Sequence, residues 1–292
     1  MKRCSLVLVF LIFAAPITRA GDDGIKQSIA YVQKLQTESG GFSARQAKGE
    51  EIAPTLRATS AAVRCLKYLG GDLPNKDKCI KFVESCWDAK AGGFSDTPKG
   101  KADVFSTAVG LMAVVELKMS QEKYVDAASK YLNENAKSFE EIRIAAAGFE
   151  AIKKRVPNEF DWWKGLGALQ RKDSSFGKGK ARDRASHDVT ILRLGGKFDP
   201  PDASLPELNA GQRQNGGWGK DDKEKASDLE TTYRVMRCYV MLKAKPGNVE
   251  GVRSFVAKCR NADGGYAVAP GQPSSVNATY FAAIITHWLD AK

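Results

Sequence analysis

A threonine recurs in five apolar-periodic stretches of the chain, at Thr59, Thr107, Thr190, Thr232 and Thr279, and chemistry-bearing residues stand two places before it. That column reads Arg57, Phe105, Asp188, Glu230 and Asn277, and a sixth stretch without the threonine contributes Arg143 by the same spacing. Helices turned alike and set side by side would bring these six side chains onto one rim. Guanidinium forks hold phosphate or carboxylate, so Arg57 and Arg143 are the anion-binding candidates, with Phe105 and Asn277 on the same ligand wall. Two neighbouring carboxylates can acquire separated pKa values, which makes Asp188 and Glu230 the acid–base candidates. The positive N-terminal end of a helix also favours acids in its first turn, and that is the alternative account of Asp188 and Glu230.

The elements that must position this column repeat. From Gln212 to Leu242 an apolar-periodic segment ends at Gln212, is broken by Gly216-Gly217-Trp218-Gly219, and resumes after Asp228 as a second apolar-periodic run. Glycine accepts positive φ and an aspartate suits a helix N-cap, so the stretch reads as helix, glycine turn, helix. Gly217 and, in the last copy, Gly265 are expected at the positive-φ positions. The pattern returns at Gly40-Gly41-Phe42, at Gly92-Gly93-Phe94, at Ser174-Ser175-Phe176-Gly177 and at Gly264-Gly265-Tyr266, each followed by an apolar helix-period run. Tyr131 to Ile152 is a degenerate copy without the glycine–aromatic turn. A fixed repeat of helix pairs predicts an all-α array of six units and twelve helices. Thr55, Asp103, Ser186, Asp228 and Ser275, with Glu141 in the weak unit, stand four places before the threonine position and are expected N-caps.

Leu-Gln-x-x-x-Gly-Gly-Phe/Trp followed by an Asp- or Ser-led apolar helix resembles the repeat of the protein prenyltransferase β-subunit and squalene cyclase superfamily. The resemblance covers about residues 25–290. It implies an (α/α)6 toroid, with six inner helices around a central funnel and six outer helices behind them. A ring removes the end faces that an open solenoid must cap, and 292 residues without a Pro-, Gly- or Ser-rich linker suit a single toroid domain over residues 21–292.

Met1-Lys2-Arg3, an apolar run from Cys4 to Pro16, and small residues at Thr18 and Ala20 predict a secretory signal peptide over residues 1–20. That apolar run is too short to span a bilayer comfortably, so no membrane span is expected. Export makes disulfides permissible, but five cysteines remain after cleavage, which leaves at least one free thiol; Cys86 and Cys259 take the repeat position of Leu35 and Leu169 and read as buried fillers. The formal charge of +11 falls to +8 when Lys2, Arg3 and Arg19 are removed. The lysines are spread over loops and outer helices, which reads as a solvated surface, and export argues against nucleic acid as a partner.

What the resemblance implies about chemistry stops at the ligands. Prenyltransferase β-subunits hold catalytic zinc through an Asp-x-Cys pair and a histidine. Here the three matching positions are Ser186, Asp188 and Thr231. Thiolate and imidazole are the donors that suit zinc, so no metal and no cofactor are expected; His187 and His287 are the two histidines of the chain. No Asp-x-Asp-Asp acid cluster of the cyclase kind opens an inner helix, and Asp221-Asp222 lies in a lysine-rich loop. The functional readings are therefore an exported transferase- or lyase-type enzyme acting on an isoprenoid or another small ligand in the funnel, a non-catalytic toroid that binds a ligand or partner, or a polysaccharide-active secreted toroid. The first expectation open to test is the N-terminus: the exported protein should begin at or near Gly21, and an intact mass that retains residues 1–20 refutes this.

Overall fold

The computed structural model describes residues 20–46, 49, 52–157, 159–167, 180–198, 200, 203–221 and 226–291. The signal segment before Ala20, the Ser174-Ser175-Phe176-Gly177 turn and Asp222 lie outside them. Twelve helices are described: α1 (Ala20–Gln33), α2 (Leu56–Leu69), α3 (Lys76–Ser85), α4 (Val104–Glu116), α5 (Val125–Asn135), α6 (Phe139–Ala151), α7 (Glu159–Gly167), α8 (Lys180–Arg193), α9 (Leu205–Ala210), α10 (Leu229–Met241), α11 (Val249–Lys258) and α12 (Val276–Asp290). Two small antiparallel ladders accompany them, β1 (Trp87–Asp88) with β2 (Gly93–Phe94) and β3 (Tyr266–Ala267) with β4 (Ser274–Ser275).

The even-numbered helices pack in sequence, α2 to α4 to α6 to α8 to α10 to α12, and α12 returns to pack on α2. That closed ring, with odd-numbered helices packed behind it, is an α/α toroid. Closure is also made through the backbone. The first amide of an inner helix reaches the loop of the next unit: Leu56 N–H donates to Asp96 O at 2.7 Å, Leu229 to Val268 at 2.8 Å, and Val276 to Ala44 at 2.8 Å. The last of these joins the end of the chain to its beginning. Each such bond satisfies an amide that a helix end would otherwise leave orphaned.

The local rules are those of the repeat. Thr55, Asp103, Asp228 and Ser275 cap α2, α4, α10 and α12 through side-chain oxygens. Four residues on, the recurring threonine donates to the cap carbonyl (Thr59 to Thr55, 2.7 Å; Thr232 to Asp228, 2.7 Å; Thr279 to Ser275, 2.8 Å). The same hydroxyl accepts the amide of the turn aromatic, from Phe42 and Phe94 at 2.9 Å, Tyr266 at 3.0 Å and Trp218 at 3.1 Å. Gln36 and Gln212 link units: each donates to a glycine carbonyl of its own turn and to Asn75 or Asn248 ahead of the next outer helix, and accepts that asparagine's amide.

Two local expectations are corrected. Ser186 and Glu141 are not caps: α8 begins six residues before Ser186, at Lys180, and α6 is capped by Ser138 in a reciprocal box with Glu141. Positive φ falls on the first glycine of each pair, Gly216 (91°) and Gly264 (86°), rather than on Gly217 and Gly265. The reason is packing as well as φ, because a Cβ on Gly216 would stand 1.9 Å from the carbonyl oxygen of Gly251 in α11. Gly217 is held small instead by the Phe255 ring, 2.7 Å from its would-be Cβ. Gly216→Ala should therefore destabilise the fold by about 1–3 kcal/mol; a urea midpoint equal to wild type would contradict this account of the turn.

Candidate functional site

The inner helices enclose a cavity of about 320 Å³. Its wall carries Arg64 from α2, Arg143 and Glu150 from α6, Arg193 from α8, Glu230, Tyr233, Arg234 and Arg237 from α10, and Tyr280 and Phe281 from α12. Met112, Val115 and Ile144 supply an apolar side.

Of the six residues in the sequence column, Arg143 and Glu230 line this cavity and the other four do not. Arg57 is half exposed and forms an ion pair with Asp96 at 2.9 Å; its backbone amide donates to the same carboxylate. Phe105 is half-buried and Asn277 exposed, neither on the wall. Asp188 is fully buried, accepting from Arg184 Nε at 2.8 Å and from the Ser204 hydroxyl, with His187 Nδ1 at 2.9 Å. Its bonds tie α8 to the start of α9, away from the cavity. α8 shows Ser186, Val189 and Arg193 inward, a stripe that excludes position 188.

The wall residues missed from sequence sit deeper on the same helix faces. Seven residues beyond Arg57, Phe105, Arg143 and Glu230 come Arg64, Met112, Glu150 and Arg237, all four on the cavity. Seven residues make nearly two turns and about 10 Å of rise, so the column read at the rim continues into the floor. The available signal was a set of charges interrupting apolar helical runs.

Most of the charge is paired. Arg193 donates to Glu150 at 2.9 Å, Arg143 to Glu140 at 2.9 Å, and Arg234 to Glu140 and Glu230, each at 2.8 Å. Burial raises the Glu140 carboxyl, but the hydrogen bond from Arg234 and the charge of Arg143 outweigh it and hold the pKa at about 2. Arg64 and Arg237 have no carboxylate partner among the described residues. Arg64 donates to the Tyr280 hydroxyl at 3.1 Å with its guanidinium 4.4 Å from that ring's centre. Arg237 lies 4.7 Å from the Trp288 ring centre, and its Nε is buried with no hydrogen-bond partner. Tyr233 stacks between Phe281 (4.8 Å) and Trp288 (5.6 Å). Burial would raise its phenol, yet the charges of Arg237, Arg64 and Arg193 hold it well below the ordinary tyrosine value.

The donors at the superfamily's zinc positions do not fit zinc. Asp188 has both carboxylate oxygens engaged, Thr231 Oγ1 donates to Asp228 at 2.8 Å, and Ser186 offers a neutral hydroxyl. Zinc sites use thiolate, imidazole or free carboxylate. The five cysteines of the described residues are all buried and none is disulfide-bonded; burial pushes the thiols of Cys79, Cys86 and Cys259 up to about 12.

Comparison with known proteins accords with this ring. The family model of the prenyltransferase alpha-alpha toroid domain matches residues 5–141 and 196–291. The chain belongs to that family. The unmatched stretch between the two segments holds Arg143, Glu150, Asp188 and Arg193. Geranylgeranyl transferase type-2 subunit beta of Saccharomyces cerevisiae is 28% identical over 102 residues, 35% of this chain and 30% of that protein. The match thus spans under a third of the curated relative. Among solved structures, Candida albicans protein geranylgeranyltransferase-I complexed with GGPP superposes with a TM-score of 0.65 at 11% identity, covering 79% of this chain and 83% of that one. A type II terpene cyclase from Scytonema with geranylgeranyl dihydroxybenzoate gives 0.61 at 11% identity, over 91% and 95%. A glycosidase gives 0.62 at 10% identity, over 92% and 96%. These similarities show the toroid fold.

The burial of Asp188 generates a stability prediction. Asp188→Ala would leave the buried donors that bond this carboxylate without their acceptor, a cost of about 1–3 kcal/mol per group, so it should lower the unfolding free energy by about 2–3 kcal/mol in urea titrations. A change below about 1 kcal/mol would mean that the Arg184–Asp188–Ser204 cluster is not formed in solution.

Proposed function

We propose that the toroid cavity binds a compact amphipathic anion, of which a short-chain isoprenoid diphosphate is the best-fitting class. The observation that carries this reading is the pair Arg64 and Arg237, partly buried cations that face one cavity and have no carboxylate partner among the described residues. An uncompensated buried charge is costly, and an anionic headgroup would relieve that cost through charge-assisted hydrogen bonds. Met112, Val115, Ile144 and Phe281 offer an apolar tail its surface. About 320 Å³ is near the lower end of ligand pockets, which favours a chain shorter than the geranylgeranyl group held by the structural relatives. Among the titratable groups of the wall, Glu230 and Tyr233 are assigned the proton-transfer role in this reading, and Arg143 completes the cationic side; Arg57, Phe105, Asp188 and Asn277 have no part in it. Export after cleavage near Ala20 and a single toroid domain belong to the same proposal. Among the described residues no helix is long and apolar enough to cross a membrane.

Titration calorimetry with dimethylallyl and geranyl diphosphate tests it. Arg64→Ala and Arg237→Ala should each weaken binding by roughly ten- to a hundredfold, the loss of about 1.5–3 kcal/mol expected for a buried charge-assisted contact. Absence of binding by wild type, or variants that bind as wild type does, overturns the reading. The polysaccharide alternative, favoured by the polar wall and by the glycosidase that shares the toroid, has a uronic acid as the sugar that would suit arginines beside carboxylates, and predicts binding of glucuronate instead. Metal analysis is the companion test: the purified chain should hold no stoichiometric zinc, and one tightly held zinc lost in Asp188→Ala would contradict the donor argument.

A further inference from the structure

Against the main cavity, between α6, α8 and α10, lies a second chamber of about 20 Å³. A space of about 10–15 Å³ already admits one water-sized occupant, so this chamber takes a single small particle. Its wall includes Arg143, Arg193, Arg234 and Arg237, together with Ser186 and Tyr233. Four guanidinium groups meet three carboxylates, since Glu140, Glu150 and Glu230 pair with Arg143, Arg193 and Arg234. One positive charge is left over, on Arg237. Two buried donors here also lack any partner, the Ser186 hydroxyl and Arg237 Nε. Buried polar groups in folded proteins are almost always hydrogen-bonded, and each orphan calls for an explanation such as an ion or an ordered water.

We propose that this chamber is a binding site for a single halide-sized monovalent anion, with chloride as the physiological occupant, held by Ser186 Oγ and Arg237 Nε. Guanidinium nitrogens only donate, whereas Ser186 and Tyr233 can donate or accept. A water placed here would have to find acceptors for two protons in a wall dominated by cationic donors. A halide accepts from every side and cancels the leftover charge. The proposal goes beyond the ligand reading of the main cavity, although Arg143, Arg193, Tyr233, Arg234 and Arg237 face both spaces and only Ser186 and Val189 belong to the chamber alone. It also gives a reason for the neutral hydroxyl at position 186, which the family's zinc chemistry leaves idle.

Bromide is the probe. Crystals soaked in bromide should show one anomalous difference peak between Ser186 Oγ and Arg237 Nε, absent in Ser186→Val, whose side chain fills the chamber. In solution, the melting temperature in chloride or bromide should exceed that in gluconate at equal ionic strength, and Ser186→Val should lose the difference. A water without anomalous signal in wild-type crystals, or equal melting temperatures in the three salts, overturns the proposal. Arg64→Ala separates the two readings, because Arg64 lines the main cavity and not the chamber. That variant should weaken diphosphate binding by the ten- to hundredfold given above and keep the bromide peak.

Discussion

In three of the six units a buried threonine hydroxyl stands between the carbonyl at the inner helix's cap and the amide of the turn aromatic, and in a fourth Thr107 accepts that amide. This one group decides where the inner helix starts and how the preceding turn lies against it. It also removes two backbone polar groups from the list that burial would leave unsatisfied. The aromatic that follows the turn glycines is then driven inward: Phe42, Phe94 and Trp218 are fully buried. Without the threonine relay the glutamine bridges at Gln36 and Gln212 would have no fixed turn to hold, and the ring would lose the register that lets α12 meet α2.

A ring of inner helices leaves a space on its axis, and this chain lines it with cations held apart by carboxylates. Arginine suits that position better than lysine, because its planar fork can bond two acceptors at once, as Arg234 does between Glu140 and Glu230. Such buried pairs are weak evidence for stability, since desolvation offsets much of their attraction. Their effect is to fix side-chain positions. Arg237 and Arg64 remain as the charges those pairs do not neutralise, and Tyr233 responds to them by ionising more readily than an ordinary tyrosine. Two core clusters, one centred on α2 and α4 and the other on α10 and α11, share Tyr233, Phe281 and Trp288 at their boundary. The charged cavity therefore has a rigid aromatic wall on one side.

The departure from the family pattern is concentrated. Residues 142–195 fall between the two segments that match the family model, and they include the second half of the unit whose glycine–aromatic turn has been lost as well as all of α8. In that stretch α8 turns Ser186 and Arg193 toward the axis and buries Asp188 against Ser204.

How much of this was legible depends on the range of the interaction. The repeat and the caps at Thr55, Asp103, Asp228 and Ser275 could be read from the sequence, because they rest on hydrogen bonds within four residues and on the 3.6-residue period; the α/α toroid came with the family resemblance that the repeat carries. The choice between Gly216 and Gly217 could not, since it depends on Gly251 of another helix. Nor could the site. The column Arg57, Phe105, Arg143, Asp188, Glu230 and Asn277 assumed equal rotation and equal depth for every inner helix, and only Arg143 and Glu230 face the cavity. Rotation about a helix axis and depth along it are set by packing among six helices at once, and that information is carried by no single helix's spacing. The sequence by itself determined what each helix is and where it begins; the closing of the ring decided which of its faces meets the axis, and so which arginines share a cavity.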